Sequence, residues 1–223
     1  MIGQSEAYLR ERWLEFWNFE NHDRPILSVY APREGAAERH VPAPSDPEAR
    51  WLDANYAVAC ARAGMERTFY GGEAFPSYNP NLGPDIVGAV CGCGIRFGED
   101  TSWAEPCVED WDNNPEIRFN GQNRWWQAIK ELTEHAAADA RGDYLVGVTD
   151  LHPGADALVS LRGAEGACLD VLDRREQFLL RTEEVFHVYR EMFLRLCGAV
   201  EPQTGCTNWM GVLHPEKRWY VTS

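Results

Sequence analysis

Apolar and charged positions follow a helical period from residue 6 to 19: Leu9, Trp13, Phe16 and Trp17 share one side, with Arg10, Glu11, Arg12 and Glu15 between them. The spacing predicts an amphipathic helix that Asp23-Arg24-Pro25 stops. Ile26-Leu27-Ser28-Val29-Tyr30 is short, apolar and partly β-branched and ends at Ala31-Pro32, so it predicts a buried strand, followed by a polar loop over residues 33 to 44. At Ser45-Asp46-Pro47-Glu48 an N-cap side chain, a first-turn proline and a glutamate three residues after Ser45 open a second helix, with Leu52, Tyr56, Ala59 and Ala63 on its apolar face. Residues 68 to 84 are dense in Gly, Pro, Asn and aromatics, which suits a strand and then an irregular loop.

The same reading continues to the end of the chain. Pro84 to Cys93 predicts a short helix closed by Gly92 and Gly94, then a strand Ile95-Arg96-Phe97 that runs into the loop Gly98 to Trp103. Asn123 caps a helix whose face is Trp125, Ile129, Leu132 and Ala136 and which ends near Arg141-Gly142. The clearest strand is Tyr144 to Val148, leading into Thr149-Asp150-Leu151-His152-Pro153-Gly154. Helices over 156–162 and 164–172 flank Gly163, and Asp173 with Glu176 reads as a capping box for a long helix bearing Phe178, Thr182, Val185, Tyr189, Met192 and Leu196. A last strand, Cys206 to Val212, leads to Leu213-His214-Pro215.

Strands separated by helices imply parallel pairing through right-handed crossovers, hence an α/β protein, doubly wound or a barrel, in one domain over residues 1 to 223. In both architectures chemistry sits at the carboxyl ends of the strands. Those ends carry Tyr30, the stretch Glu73 to Asn81 with Tyr78 and Asn79, then Glu99, Asp100 and Trp103, then Asp150 and His152, and finally Asn208, Trp209 and His214. Glu99 and Asp100 read as an acid/base pair or as a loop cap. Asp150 and His152, at alternate positions, read as a pair that passes a proton or binds a metal, or as a hydrogen-bonded loop histidine. The aromatic set Tyr78, Trp103, Trp209 and Trp219 suits a flat ligand or plain packing. No glycine-rich phosphate loop is present.

Composition narrows the function classes. With 21 Lys and Arg against 35 Asp and Glu, the net charge of −14 repels phosphate backbones and anionic lipid, so nucleic acid and membrane surfaces are not expected partners. No apolar run is long enough to span a bilayer and the charged start lacks a signal peptide, which gives a cytoplasmic reading. Seven scattered cysteines suit free thiols in a reducing compartment, and Cys91-Gly92-Cys93 has no second pair at zinc-ligand spacing, so no metal site is expected within this chain.

Four stretches, RERWLEFWNFENHDRPILSV, YGGEAFPSYNPNLGPDIVGAVCGCGIRFGEDTSW, RWWQAIKELTEHAAADARGDYLVGVTDLHPGADALVSLRG and TNWMGVLHPEKRWY, span nearly all of the sequence. On them the chain resembles the uroporphyrinogen decarboxylase superfamily, in an uncharacterised bacterial branch related to the cobalamin-dependent methyltransferases. The resemblance implies a (β/α)8 barrel. Only about five strands can be counted, so the chain is expected to be the N-terminal part of that barrel, with exposed strand edges that favour association, for instance as a homodimer. Pro84-Asp85-Ile86-Val87 is similar to the decarboxylase segment whose aspartate holds the pyrrole nitrogens, which makes Asp85 the catalytic candidate there. The bland reading of Asp85 is an acidic residue favoured in a helix's first turn. Where the decarboxylase has an arginine clamp, this chain has Tyr30-Ala31-Pro32-Arg33-Glu34-Gly35, with one arginine beside a glutamate. The resemblance therefore points first to a corrinoid-linked methyltransferase acting on a small methylated compound or thiol, with a small molecule or corrinoid protein as substrate and zinc and a corrinoid as cofactors of the whole protein. Tetrapyrrole decarboxylation and a non-catalytic small-molecule binding barrel are the alternatives.

Overall fold

A computed structural model describes residues 4–200 and 205–216. Ser5 opens helix α1 (Glu6–Trp17) by accepting a 3.2 Å hydrogen bond from the Tyr8 N–H. Strand β1 (Ser28–Pro32) then pairs with β2 (Thr68–Gly72), in register from Ser28 opposite Gly72 to Pro32 opposite Thr68. Two expectations fail here: the pairing is antiparallel although helices lie between the strands, and Val29 and Tyr30 are half exposed. The polar loop after β1 lets the chain reverse, and a short apolar run fits one face of a two-stranded ribbon as well as it fits a buried strand.

The second helix is two. Asp46, not Ser45, caps α2 (Pro47–Leu52), accepting from Ala49 N at 2.9 Å. Asp53 ends α2 and caps α3 (Ala54–Glu66) through Tyr56 N at 3.0 Å. After β3 (Ser77–Tyr78) come α4 (Ile86–Cys91) and a hairpin, β4 (Gly94–Phe97) with β5 (Ser102–Glu105), where a simple loop was expected after Phe97. Asn123 caps α5 (Arg124–Ala140) through Trp125 N and Trp126 N, as expected. Then follow β6 (Leu145–Val146), α6 (Ala155–Arg162), α7 (Ala164–Asp173) and α8 (Arg175–Ala199). The Asp173–Glu176 capping box does not form: α7 runs through Asp173, and Arg174 N bonds back to Asp170 O at 2.9 Å.

Parallel pairing is confined to a short set that places the functional side chains. Ser77 and Tyr78 of β3 lie opposite Leu145 and Val146 of β6, and Val148 forms a parallel bridge with Asn208. The expected last strand is reduced to that bridge and an antiparallel one between Cys206 and His214, because the chain turns at Asn208–Gly211, where Gly211 has φ +68°. The protein is thus mixed α/β with three separate two-stranded sheets and no closed barrel among the described residues. Helices α4, α5, α6 and α8 pack one core, in which Leu82, Ile86, Ile129, Leu158, Met192 and Leu196 are fully buried. Among the described residues no helix is long and apolar enough to cross a membrane.

A second anchor is polar. Glu73, fully buried after β2, accepts from Arg24 (2.5 and 2.9 Å), the Tyr8 hydroxyl (2.9 Å) and Leu27 N (3.0 Å), with Arg12 3.6 Å away. It ties α1 and the segment before β1 to the entry into β3. Arg24's guanidinium, outweighing desolvation, holds the Glu73 carboxyl down at about 2, against an ordinary 4.5. A carboxylate whose folded pKa is depressed stabilises the fold fully above pH 4.5 and loses that contribution as the pH falls from 4.5 toward 2. Allowing for screening through the partly exposed Arg24, the contribution is on the order of 2 to 3 kcal/mol. Urea titrations of wild type and Glu73→Gln should therefore show a deficit of about 3 kcal/mol at pH 7 that narrows by most of its size between pH 4.5 and 2.5. A deficit that does not change with pH would show that Glu73 is not the titrating anchor.

Candidate functional site at the carboxyl edge of the parallel segments

The site is built outward from β6. Val146, Val148 and Leu151 are buried, while Asp150 and His152, in the irregular segment beyond the end of β6, keep part of their side chains accessible. The structure brings the two together: His152 Nε2 lies 2.8 Å from Asp150 Oδ1. Pro153 and Gly154 then reverse the chain, and Gly154, at φ 71° and ψ −133°, takes a conformation essentially reserved for glycine at the N-cap of α6. That turn returns Asp156, in the first turn of α6, to the other ring nitrogen, with Asp156 Oδ2 3.3 Å from His152 Nδ1. The imidazole is therefore held between two carboxylates.

The neighbouring segments close in on this pair. Asn208 pairs with Val148, and the half-exposed indole of Trp209 lies with its ring centre 6.4 Å from that of His152. Asn208 is buried; its Oδ1 accepts from Met210 N at 3.1 Å, while its Nδ2 has no partner. Tyr30 reaches the same loop from β1: its ring is half exposed, but its hydroxyl sits beside Gly211, 3.7 Å from where a Cβ there would stand. Partial burial of that end raises the Tyr30 pKa. On the other flank Asn79 follows β3, and its Oδ1, also buried and unpartnered, would stand 2.6 Å from a Cβ on Gly147. Orphaned amide atoms of this kind mark places where water or a ligand completes the hydrogen bonding.

Other expected site residues lie elsewhere or serve the scaffold. Asp85 is at the N-cap of α4 without capping it; Ser160 Oγ donates to its Oδ1 at 2.6 Å and Ala104 N to its Oδ2 at 3.1 Å, so it ties α4 to α6 and β5. Neither sequence reading of Asp85 describes that bridge. Glu99 and Asp100 are exposed in the β4–β5 turn, closed by Gly98 N to Thr101 O at 2.8 Å. Trp103 is half exposed and lies over Gly98 of the same hairpin. His214 packs on Trp17 of α1 with ring centres 5.0 Å apart, and its Nδ1 accepts from Glu216 N at 3.1 Å. Tyr78 packs under the helices, and burial pushes its hydroxyl up to about 12. Trp219 lies outside the described residues.

Two participants escaped sequence reasoning. Asp156 carries a readable signal, a His-x-x-x-Asp spacing across a Pro-Gly turn into a helix. Glu73 stood within the loop stretch flagged after β2, but nothing local announces its arginine partner 49 residues away. No group of three or more His, Cys, Asp or Glu side chains converges as a metal set among the described residues. Burial, the leading cause in each case, raises the Cys91, Cys93 and Cys107 thiols, Cys93 to about 12.

Comparison of the chain with protein-family models, with curated proteins and with solved structures finds no match in any of the three.

Two glycines are expected to be irreplaceable for different reasons. Gly154→Ala meets no atom within 4 Å but forces an L residue into a glycine-only conformation, so thermal melts should show a loss of about 1–3 kcal/mol. Gly147→Ala puts a methyl group 2.6 Å from Asn79 Oδ1 and 3.3 Å from the Asn208 backbone, and overpacking of about 1–3 kcal/mol is expected, together with shifted amide signals of both asparagines by NMR. Wild-type melting curves for both variants would refute these local geometries.

Proposed function

We propose that the chain contributes to a uroporphyrinogen-decarboxylase-like (β/α) barrel, and that its carboxyl edge serves corrinoid-linked methyl transfer involving a small methylated compound or thiol. The observation that supports this reading is the Asp150–His152 pair at 2.8 Å, beside Trp209 at the carboxyl end of adjoining parallel segments. Asp150 Oδ1 faces the imidazole, and Asp150 is the group that exchanges a proton with a bound thiol or leaving group. His152 stands against that carboxylate, Trp209 offers an apolar face, and the Asn79 and Asn208 amides supply polar contacts.

A corrinoid, when bound, supplies or takes up the methyl group, and the half-exposed indole of Trp209 suits its flat face. The described residues offer no three-ligand set for zinc. Methyl transfer is favoured over tetrapyrrole decarboxylation because both Asp85 oxygens are engaged within the protein and are not left for pyrrole N–H groups.

The test is thiol-dependent demethylation of methylcobalamin, followed by absorbance, in parallel with porphyrinogen turnover. Asp150→Asn is expected to lower the demethylation rate by about 10²-fold or more with little change in corrinoid affinity. Porphyrinogen turnover in place of demethylation would move the protein to the decarboxylase reading. Corrinoid or thiol binding without turnover would leave a binding protein.

A further inference from the structure

Asp150, His152 and Asp156 differ in their access to water in a graded way. The Asp150 side chain is 20% exposed, His152 24% and Asp156 56%, and the imidazole stands between the carboxylates with one nitrogen toward each, at 2.8 and 3.3 Å. A neutral imidazole has one N–H donor and one acceptor nitrogen, so it can take a proton on one side and release another on the opposite side. The connection is built by the backbone: the glycine-only turn at Gly154 leads into α6, whose first turn carries Asp156 back to the ring.

We infer that Asp156, His152 and Asp150 form a proton relay that carries protons between bulk water and the ligand face of the site. The inference rests on the reading of Asp150 as the group that exchanges protons with the ligand. For a thiol acceptor, with His152 starting as the Nδ1–H tautomer, the S–H proton passes to Asp150, the carboxyl group turns to present it to His152 Nε2, and the Nδ1 proton leaves to Asp156 and then to water. Only S–H, O–H and N–H bonds change, one proton is released to solvent, and the ring regains its starting tautomer through the water that reaches it. Trp209 also lies beside the ring, with ring centres 6.4 Å apart. Asp156 thus acts through His152 as a positioning and shuttle residue, beyond the favourable placement of an acidic side chain in a helix's first turn.

Two measurements test the relay, one of them independent of turnover. In the demethylation assay at low buffer concentration, Asp156→Asn should lower the rate about 10- to 100-fold at unchanged KM, and raising the concentration of a small imidazole or carboxylate buffer should restore it. A loss that buffer does not restore would make Asp156 merely structural and overturn the relay. In ring ¹⁵N spectra of the whole chain, with His152 assigned by its loss in His152→Gln, Asp156→Asn should shift the Nδ1 signal and Asp150→Asn the Nε2 signal. Insensitivity of Nδ1 to Asp156→Asn would overturn the relay even in an active methyltransferase. The paired shifts in a protein that does not demethylate methylcobalamin would support the three-residue contact and count against the methyl-transfer reading alone.

Discussion

The fold turns on the desolvation of one carboxylate. Glu73 is fully buried, and a buried anion is tolerated only when its oxygens are met by donors. Meeting them draws together Tyr8 from α1, Arg24 and the Leu27 N–H from the segment before β1, and the start of the path into β3. The apolar contacts around it, Leu9, Trp13, Phe75 and Leu213, have no directional preference of their own. The carboxylate supplies one. With that corner fixed, β1 and β2 are registered, Phe75 and Tyr30 are set beside the Gly211 loop, and β3 enters alongside β6.

Local signals were legible in the sequence where they are self-contained. Asn123 caps α5, Gly163 separates α6 from α7, and Gly92 closes α4, because each depends on side chains or backbone within one turn. Pairing was not legible. The expectation of parallel strands came from helices lying between strands, yet β1–β2 and β4–β5 are antiparallel ribbons that bury one face or less. Period and composition describe a strand's faces and leave its partner open. Caps failed where two good candidates stood together: Asp46 displaced Ser45, and the continuation of α7 through Asp173 displaced the capping box.

The same division runs through the site. Asp150 and His152 could be paired from their spacing after the clearest expected strand, and Asn208 and Trp209 came from an expected last strand, Cys206 to Val212, of which only isolated bridges form. Asp85 shows the limit of a segment likeness: its flanks match a known motif, but its oxygens are engaged by Ser160 and Ala104, contacts that depend on how α6 and β5 pack. Glu99, Asp100 and Trp103 were drawn in by the assumption that every strand ends at one common edge, and the hairpin carries them onto its own turn.

Gly147 adds a consequence of another kind. Its backbone φ is ordinary, so no rule of conformation demands glycine there; what excludes a side chain is the Asn79 amide lying in the space a Cβ would take. The two positions, 68 residues apart in number, are therefore a single heritable unit. A larger residue at 147 becomes admissible only after 79 has shortened or turned away, and an asparagine at 79 is only as durable as the bare backbone beside it. Across any set of relatives, the pair should change together or not at all.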